Sequence, residues 1–171
     1  MTSCKSTKIA IEDLTKDFKI EYFDERYFAL YQIKKYEESF DITNTINLSK
    51  SIYEYEVNLS NESGILYNLN NDLTNLINEP LENTYLFSEV INPNKLENIP
   101  KENYDKLIRK MPSGNYLRVI FNRENLNDTI KKISEFINKN NLKINELIEL
   151  TLFDNIFAYE ENNCEFQILL K

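Results

Sequence analysis

The run RYFALYQI (26–33) has a counterpart in NYLRVIFN (115–122). Each carries Tyr as its second residue, follows a turn, and leads into a helix-prone stretch and then two further strands. The order strand–turn–strand–helix–strand–strand is thus written twice, with a period of roughly 88 residues, which points to duplication of one supersecondary unit. A single unit of this kind exposes an apolar sheet face it cannot bury alone. Two of them can pair strands or faces and close a common core. The expected fold is therefore α+β: two tandem βαββ-type units, an antiparallel sheet system, two main helices on its outer side, and a central ligand cleft between the halves.

The elements follow from periodicity. FKIEY (18–22) reads as extended, FDER as a turn, and YFALYQIK (27–34) as an aromatic strand. Thr43 is a plausible N-cap for a helix whose apolar face uses Ile46, Leu48, Ile52, Tyr55 and Val57, broken at Asn61–Gly64. GILYNLN (64–70) and TYLFSEVI (84–91) are strands, with a loop at 71–83 between them. In the second half, YDKLIRKM (104–111) is expected to be extended, PSGN (112–115) a turn, and YLRVIF (116–121) a strand. NRENLNDTIKKISEFINKNN (122–141) is the clearest helix, with Leu126, Ile130, Ile133 and Ile137 at helical spacing and Asn140–Asn141 as its end. KINELIELTLF and NCEFQILLK are the last strands, joined by DNIFAYEEN.

Composition narrows the function. With 171 residues the chain suits one domain or two small halves sharing a core. It holds only 2 Gly, which leaves no glycine-rich phosphate cradle. His is absent, which removes the usual general base and the commonest zinc ligand. Cys4 and Cys164 make neither a metal-ligand cluster nor a disulfide framework, so two reduced thiols in a cytoplasmic protein are expected. No metal and no cofactor is expected. No run approaches a membrane span. The net charge of −8 is wrong for sequence-independent nucleic-acid binding; its field would attract organic cations, and a solvated acidic surface that only aids solubility accounts for it more simply.

One residue breaks the apolar pattern. In NELIELTLFDN (145–155) the carboxylate of Glu149 shares its strand face with Leu147, Thr151 and Phe153. Three fates are open to it: a solvent-facing position, a pair with Lys or Arg, or an unpaired place at the base of an aromatic cavity. Burial alone costs several kcal/mol or more, so the last needs a compensating cation or a raised pKa. A ligand cation would serve, and each aromatic face beside it would add ~0.5–2 kcal/mol.

Residues 17–171 resemble the effector-binding domain of the GyrI-like superfamily, and most of all the drug-binding domain of BmrR-type multidrug regulators of the MerR class. The resemblance is carried by FKIEYFDERYFALYQI, by NTYLFSEV, and by MPSGNYLRVIF, helix, ELIELTLF and CEFQILLK in that order. Met111-Pro112-Ser113-Gly114-Asn115-Tyr116 stands where the family reads Ile-Pro-x-Gly-x-Tyr. The resemblance implies a first unit at 17–92, a second at 103–171, and residues 1–16 as an arm or the remnant of a connecting helix.

It also implies roles. Glu149 takes the place of the family's acidic residue, which meets the charge of lipophilic cations, and Tyr85 that of a pocket tyrosine. Tyr67, Thr151, Phe121 and Ile46 complete the expected ligand-binding set. Ile46 and Asn125 stand where relatives carry pocket tyrosines, and a further one is missing near Asn162, so the cavity should be less aromatic. Tyr31, Tyr67, Tyr116 and Phe121 sit on inner strands, where a Tyr or Phe is more often a core residue than a ligand contact. Cys164 is expected to be a small buried hydrophobe, and Glu165, on the opposite face, to be solvated or paired.

The function expected first is therefore a non-enzymatic effector-binding domain for an amphipathic, cationic small molecule, with no direct nucleic-acid or membrane binding by this chain. The alternatives are a stand-alone GyrI-like hydrolase of strained electrophiles, with Glu149 as catalytic base, and a protein-interaction module of the gyrase-inhibitor type.

Overall fold

The computed structural model describes residues 18–33, 42–68, 73, 84–144, 146–151 and 163–170. The arm 1–16, most of the linker 71–83 and the joining segment 154–162 lie outside them. The elements run β1 (Phe18–Phe23), β2 (Arg26–Ile33), α1 (Ile42–Tyr53), β3 (Leu59–Asn68), β4 (Thr84–Val90), α2 (Lys101–Leu107), β5 (Ile108–Met111), β6 (Gly114–Asn122), α3 (Leu126–Lys139), β7 (Glu146–Thr151) and β8 (Asn163–Leu169). The duplicated order is present. Two segments depart from expectation. α1 begins before Thr43 and stops at Tyr53, short of Tyr55 and Val57, and residues 61–64 are not its break but part of β3. The start of YDKLIRKM is not extended but closes α2, a short helix that follows Pro100 and carries Glu102 in its first turn and Lys106 in its last. Only Ile108–Met111 pairs as a strand.

All eight strands form one antiparallel sheet in the order β1-β6-β8-β7-β3-β4-β2-β5. Exchanging each strand of the first half with its counterpart in the second reverses this order and leaves it unchanged. The sheet therefore has a pseudo-twofold axis between β3 and β7. Each half also lends its first strand to the other: β1 pairs with β6, and β5 with β2.

The sheet curls strongly. Phe23 ends β1 and Arg26 begins β2, so these residues lie within ~11 Å along the chain. Their strands nevertheless stand first and seventh in the sheet, about 29 Å apart if it were flat. The Met111–Gly114 link from β5 to β6 makes the same demand. Side chains confirm the curl: Arg26 Nη1 donates to Gln167 Oε1 at 3.0 Å although β2 and β8 lie four strands apart.

The outer face carries the helices. Leu48 and Ile52 of α1, Tyr104 and Leu107 of α2, and Ile130, Ile133, Phe136 and Ile137 of α3 pack there with Phe18, Ala29, Ile33, Ile65, Tyr67, Leu86, Leu117, Val119, Phe121, Leu147, Cys164, Phe166 and Ile168. The i, i+4 spacing of Leu48 and Ile52, and the i, i+3, i+7 spacing of Ile130, Ile133 and Ile137, put each set on one helical stripe. At the end of α3, Asn141 takes the left-handed conformation (φ 51°) and Leu142 N donates to Ile137 O at 3.0 Å, a C-terminal turn that asparagine tolerates. The inner face holds a second cluster: Phe28, Leu30, Leu66, Phe87, Met111, Tyr116 and Ile148, with Phe23, Tyr85 and Leu169 beside them.

The expected PSGN turn reduces to the two-residue link of Pro112 and Ser113, since Gly114 and Asn115 already belong to β6, and Gly114 is not there for left-handed backbone, since no glycine has positive φ. A Cβ on Gly114 would meet Leu169 Cδ1 at 2.9 Å. Close approach of the last strand is what the position requires.

Candidate functional site

Strand register places Glu149 between Ile65 of β3 and Phe166 of β8. Reading outward, the row runs Phe18–Val119–Phe166–Glu149–Ile65–Leu86–Tyr31 across seven strands. Residues paired directly across antiparallel strands share a face, and every other member of this row belongs to the outer, helix-covered core. The flanking row, Ile20–Leu117–Ile168–Leu147–Tyr67–Thr84–Ile33, is apolar save for Thr84. By register, Glu149 is the one acidic residue among the described positions of these two rows, and it stands at the pseudo-twofold axis.

The helices stand to either side of that axis. α1 packs over β2 and β4, and α3 over β6, so their principal contacts fall on the flanks of each half rather than on the central β3–β7 pair. Phe18 of the row touches α3 edge-on through Phe136, with ring centroids 6.0 Å apart. At the other end, the Tyr31 hydroxyl accepts from Asn47 Nδ2 of α1 at 3.4 Å.

Among the expected ligand-binding residues, Tyr67 and Phe121 are buried on this face, Phe121 stacked on Phe166 at 4.3 Å. Thr151 pairs with Cys164, next along β7 from Glu149 on the same register face, and Cys164 is buried as expected. Ile46 lies on the outside of α1 and is 45% exposed. Tyr85 pairs with Gln32 and Leu66 and packs with the inner cluster. It is therefore on the opposite side of the sheet from the register position of Glu149. The structure brings Tyr67, Thr151 and Phe121 to the Glu149 face and does not bring Tyr85.

The inner face holds chemistry that sequence reading did not find. Glu165, only 1% exposed, accepts from Arg118 Nε at 2.7 Å and from Arg118 Nη2 at 2.5 Å. Its Oε1 also accepts from Gln167 Nε2 at 2.8 Å. Arg118 reaches Glu21 of β1 as well. The two-point bond with Glu165 holds the guanidinium pKa well above its ordinary value, against the opposing effect of burial. Gln167 links this group to Arg26, whose guanidinium lies over the Phe23 ring at 4.2 Å and near Phe28 and Tyr116 at 5.4 and 5.3 Å. Arg109 and Glu146 span the same face at 3.3 Å. The expectation for Glu165, solvated or paired, resolves as paired and buried. No group of three or more metal-ligating side chains occurs among the described residues. None of the described helices is long and apolar enough to cross a membrane.

With this geometry in view, the class is a duplicated, helix-backed antiparallel α+β sheet. Solved structures share the fold. The chain superposes on EcmrR in a cryo-EM structure of its DNA complex with a TM-score of 0.60 at 11% identity, covering 90% of this chain and 57% of that one. It matches the crystal structure of the EcmrR C-terminal domain with a TM-score of 0.53 at 13% identity, over 90% of this chain and 96% of that one. A hydrolase from Listeria innocua gives 0.54 at 9% identity, over 91% and 92%. The chain thus spans a little over half of EcmrR and nearly all of its C-terminal domain. No protein-family model matches the chain, and no curated protein matches it in sequence.

Proposed function

We propose that this chain is a binding domain for amphipathic, positively charged small molecules, with Glu149 as the charge partner. One observation carries the reading. At the pseudo-twofold axis, in a row otherwise built from Phe18, Val119, Phe166, Ile65, Leu86 and Tyr31, stands a single acid. A carboxylate in such a setting is stabilised by a cation far more than it would be in water. Tyr67, Phe121 and Phe166, buried on the same face, are the rings that would line the body of such a ligand once it entered between sheet and helices. The fold shared with the EcmrR C-terminal domain supports the reading. In a longer regulator, contact with DNA would fall to other parts of the protein, and the charge of −8 agrees with that division.

The test is titration of the purified protein with rhodamine and with a quaternary ammonium dye, read by fluorescence polarisation and calorimetry. Glu149→Gln is expected to weaken binding at least tenfold while the fold is kept. Equal affinity in the two proteins overturns the assignment.

A further inference from the structure

The inner face presents a second and chemically opposite feature. Arg26 is the first residue of β2, at the seam where the curled sheet brings β1 and β6 opposite β2. Its Nη1 is engaged by Gln167. Its Nε and Nη2 are closed off from solvent and have no hydrogen-bond partner among the described residues. The other inner-face arginines have carboxylates: Arg118 binds Glu165 and Glu21, and Arg109 binds Glu146. Arg26 instead has three rings, Phe23, Phe28 and Tyr116. Rings satisfy the charge from above the guanidinium plane. They do not satisfy the in-plane N–H groups, and buried donors left without acceptors are rare in native proteins.

The unpaired Nε–Nη2 edge is the side of an arginine that fits two oxygens of one planar group. We propose that Arg26 is the receptor for a small monocarboxylate with a flat apolar body, bound on the inner face of the sheet. The carboxylate lies in the guanidinium plane against Nε and Nη2. The body takes space held in this structure by the Phe23 ring, which is only half-buried, ends the edge strand β1, and already shows that a flat group stacks there. Phe23 therefore acts as the cover of the site. A dianion such as phosphate fits less well. The surroundings contain Glu146, Glu165 and Glu21, and only one guanidinium edge is unpaired to balance the charge. This site is separate from that of Glu149, on the other side of the sheet.

The experiment is calorimetric titration and thermal unfolding of the intact protein with benzoate, inorganic phosphate and benzyltrimethylammonium. Benzoate is expected to bind and raise Tm, with phosphate and the cation at least tenfold weaker at this site. Phe23→Ala, which keeps the guanidinium and removes its cover, should bind benzoate about tenfold more tightly. Arg26→Lys, which keeps the charge and loses the fork, should lose most of the affinity. Glu149→Gln should leave benzoate binding unchanged, whatever it does to cations. The proposal is overturned if Phe23→Ala shows no benzoate binding, if Arg26→Lys binds as well as the parent, or if phosphate matches benzoate. Should Arg26→Lys fail to fold, the Phe23→Ala titration decides alone.

Discussion

Ile65 and Glu149 hold equivalent register positions in the two halves of the sheet, and they face each other. Matching the two short links, β1 to β2 and β5 to β6, puts Phe23 on Met111 and Arg26 on Gly114. Tyr31 then falls on Val119. Their partners Leu86 and Phe166 correspond, and so do the next residues in the row, Ile65 and Glu149. These two are also hydrogen-bond register partners across β3 and β7. The pseudo-twofold axis passes between them, and it is there that the halves differ in kind, a hydrocarbon on one side and an acid on the other.

An acid held for a ligand should cost stability in the ligand-free protein. Glu149→Ile, which makes the two halves alike at the axis, is expected to raise unfolding free energy by about 1–3 kcal/mol. It should also abolish cation binding. Urea denaturation checks the first and dye titration the second. A variant less stable than the parent would mean that the carboxylate is already well served within the protein, and would argue against a ligand role.

The Glu165–Arg118 pair predicts the reverse behaviour. Both groups of the bond are at least partly withdrawn from water, and Glu165 is almost wholly so. Removing one partner leaves the other uncompensated, so Glu165→Ala should cost about 3–5 kcal/mol. Replacing both, as Arg118→Met with Glu165→Leu, should recover most of that loss, less whatever Arg118 contributes through Glu21. A double-mutant cycle by chemical denaturation measures the coupling.

Gly114 offers a finer test. Its backbone is of an ordinary kind, so alanine brings no left-handed strain there. The added methyl meets only the mobile end of Leu169, at 2.9 Å. Gly114→Ala is expected to cost about 1 kcal/mol, and to cost nothing once Leu169 is also shortened to Ala. Thermal unfolding of the single and double variants distinguishes this from a turn-conformation requirement, under which the cost would persist.

What the sequence reveals and conceals follows from the range of the forces involved. The repeat, α3 and β4 were legible because they rest on local periodicity and on buried faces such as Ile130, Ile133 and Ile137. α2 was missed because seven residues carry little periodic signal and run straight into β5. Tyr27 and Tyr116, second residues of the runs paired by sequence, lie on opposite faces, Tyr27 on the outer core and Tyr116 within the inner one, because that pairing is one residue out of register: with Arg26 on Gly114, the counterpart of Tyr116 is Phe28, also of the inner cluster. A strand fixes its alternation but not which side its partners will cover. The same limit separated Tyr85 from Glu149. The inner network was illegible for a plainer reason: Arg118 and Glu165 are 47 residues apart, and Arg26 and Gln167 are 141 apart. Only the register and curl of the sheet bring them together.

Tyr116 gives a prediction that depends on pH. Its ring is fully buried in the inner cluster, and the hydroxyl donates to Pro112 O at 2.7 Å. Burial raises the phenol pKa above its ordinary value, with the nearby Arg26 charge opposing in part. A raised pKa means that the folded protein keeps the proton longer than the unfolded chain. The stabilisation from this group is complete below the unfolded value of about 10 and is lost as pH rises through the folded value. Tyr116→Phe, lacking the hydroxyl, should be less stable than the parent by about 0.5–1.5 kcal/mol at neutral pH. That difference should shrink as pH climbs past about 10, because only the parent must then keep a proton on a buried phenol. Urea denaturation of both proteins across the alkaline range tests it. A difference that stays constant with pH would show that the Tyr116 hydroxyl ionises as readily in the folded protein as in the unfolded one.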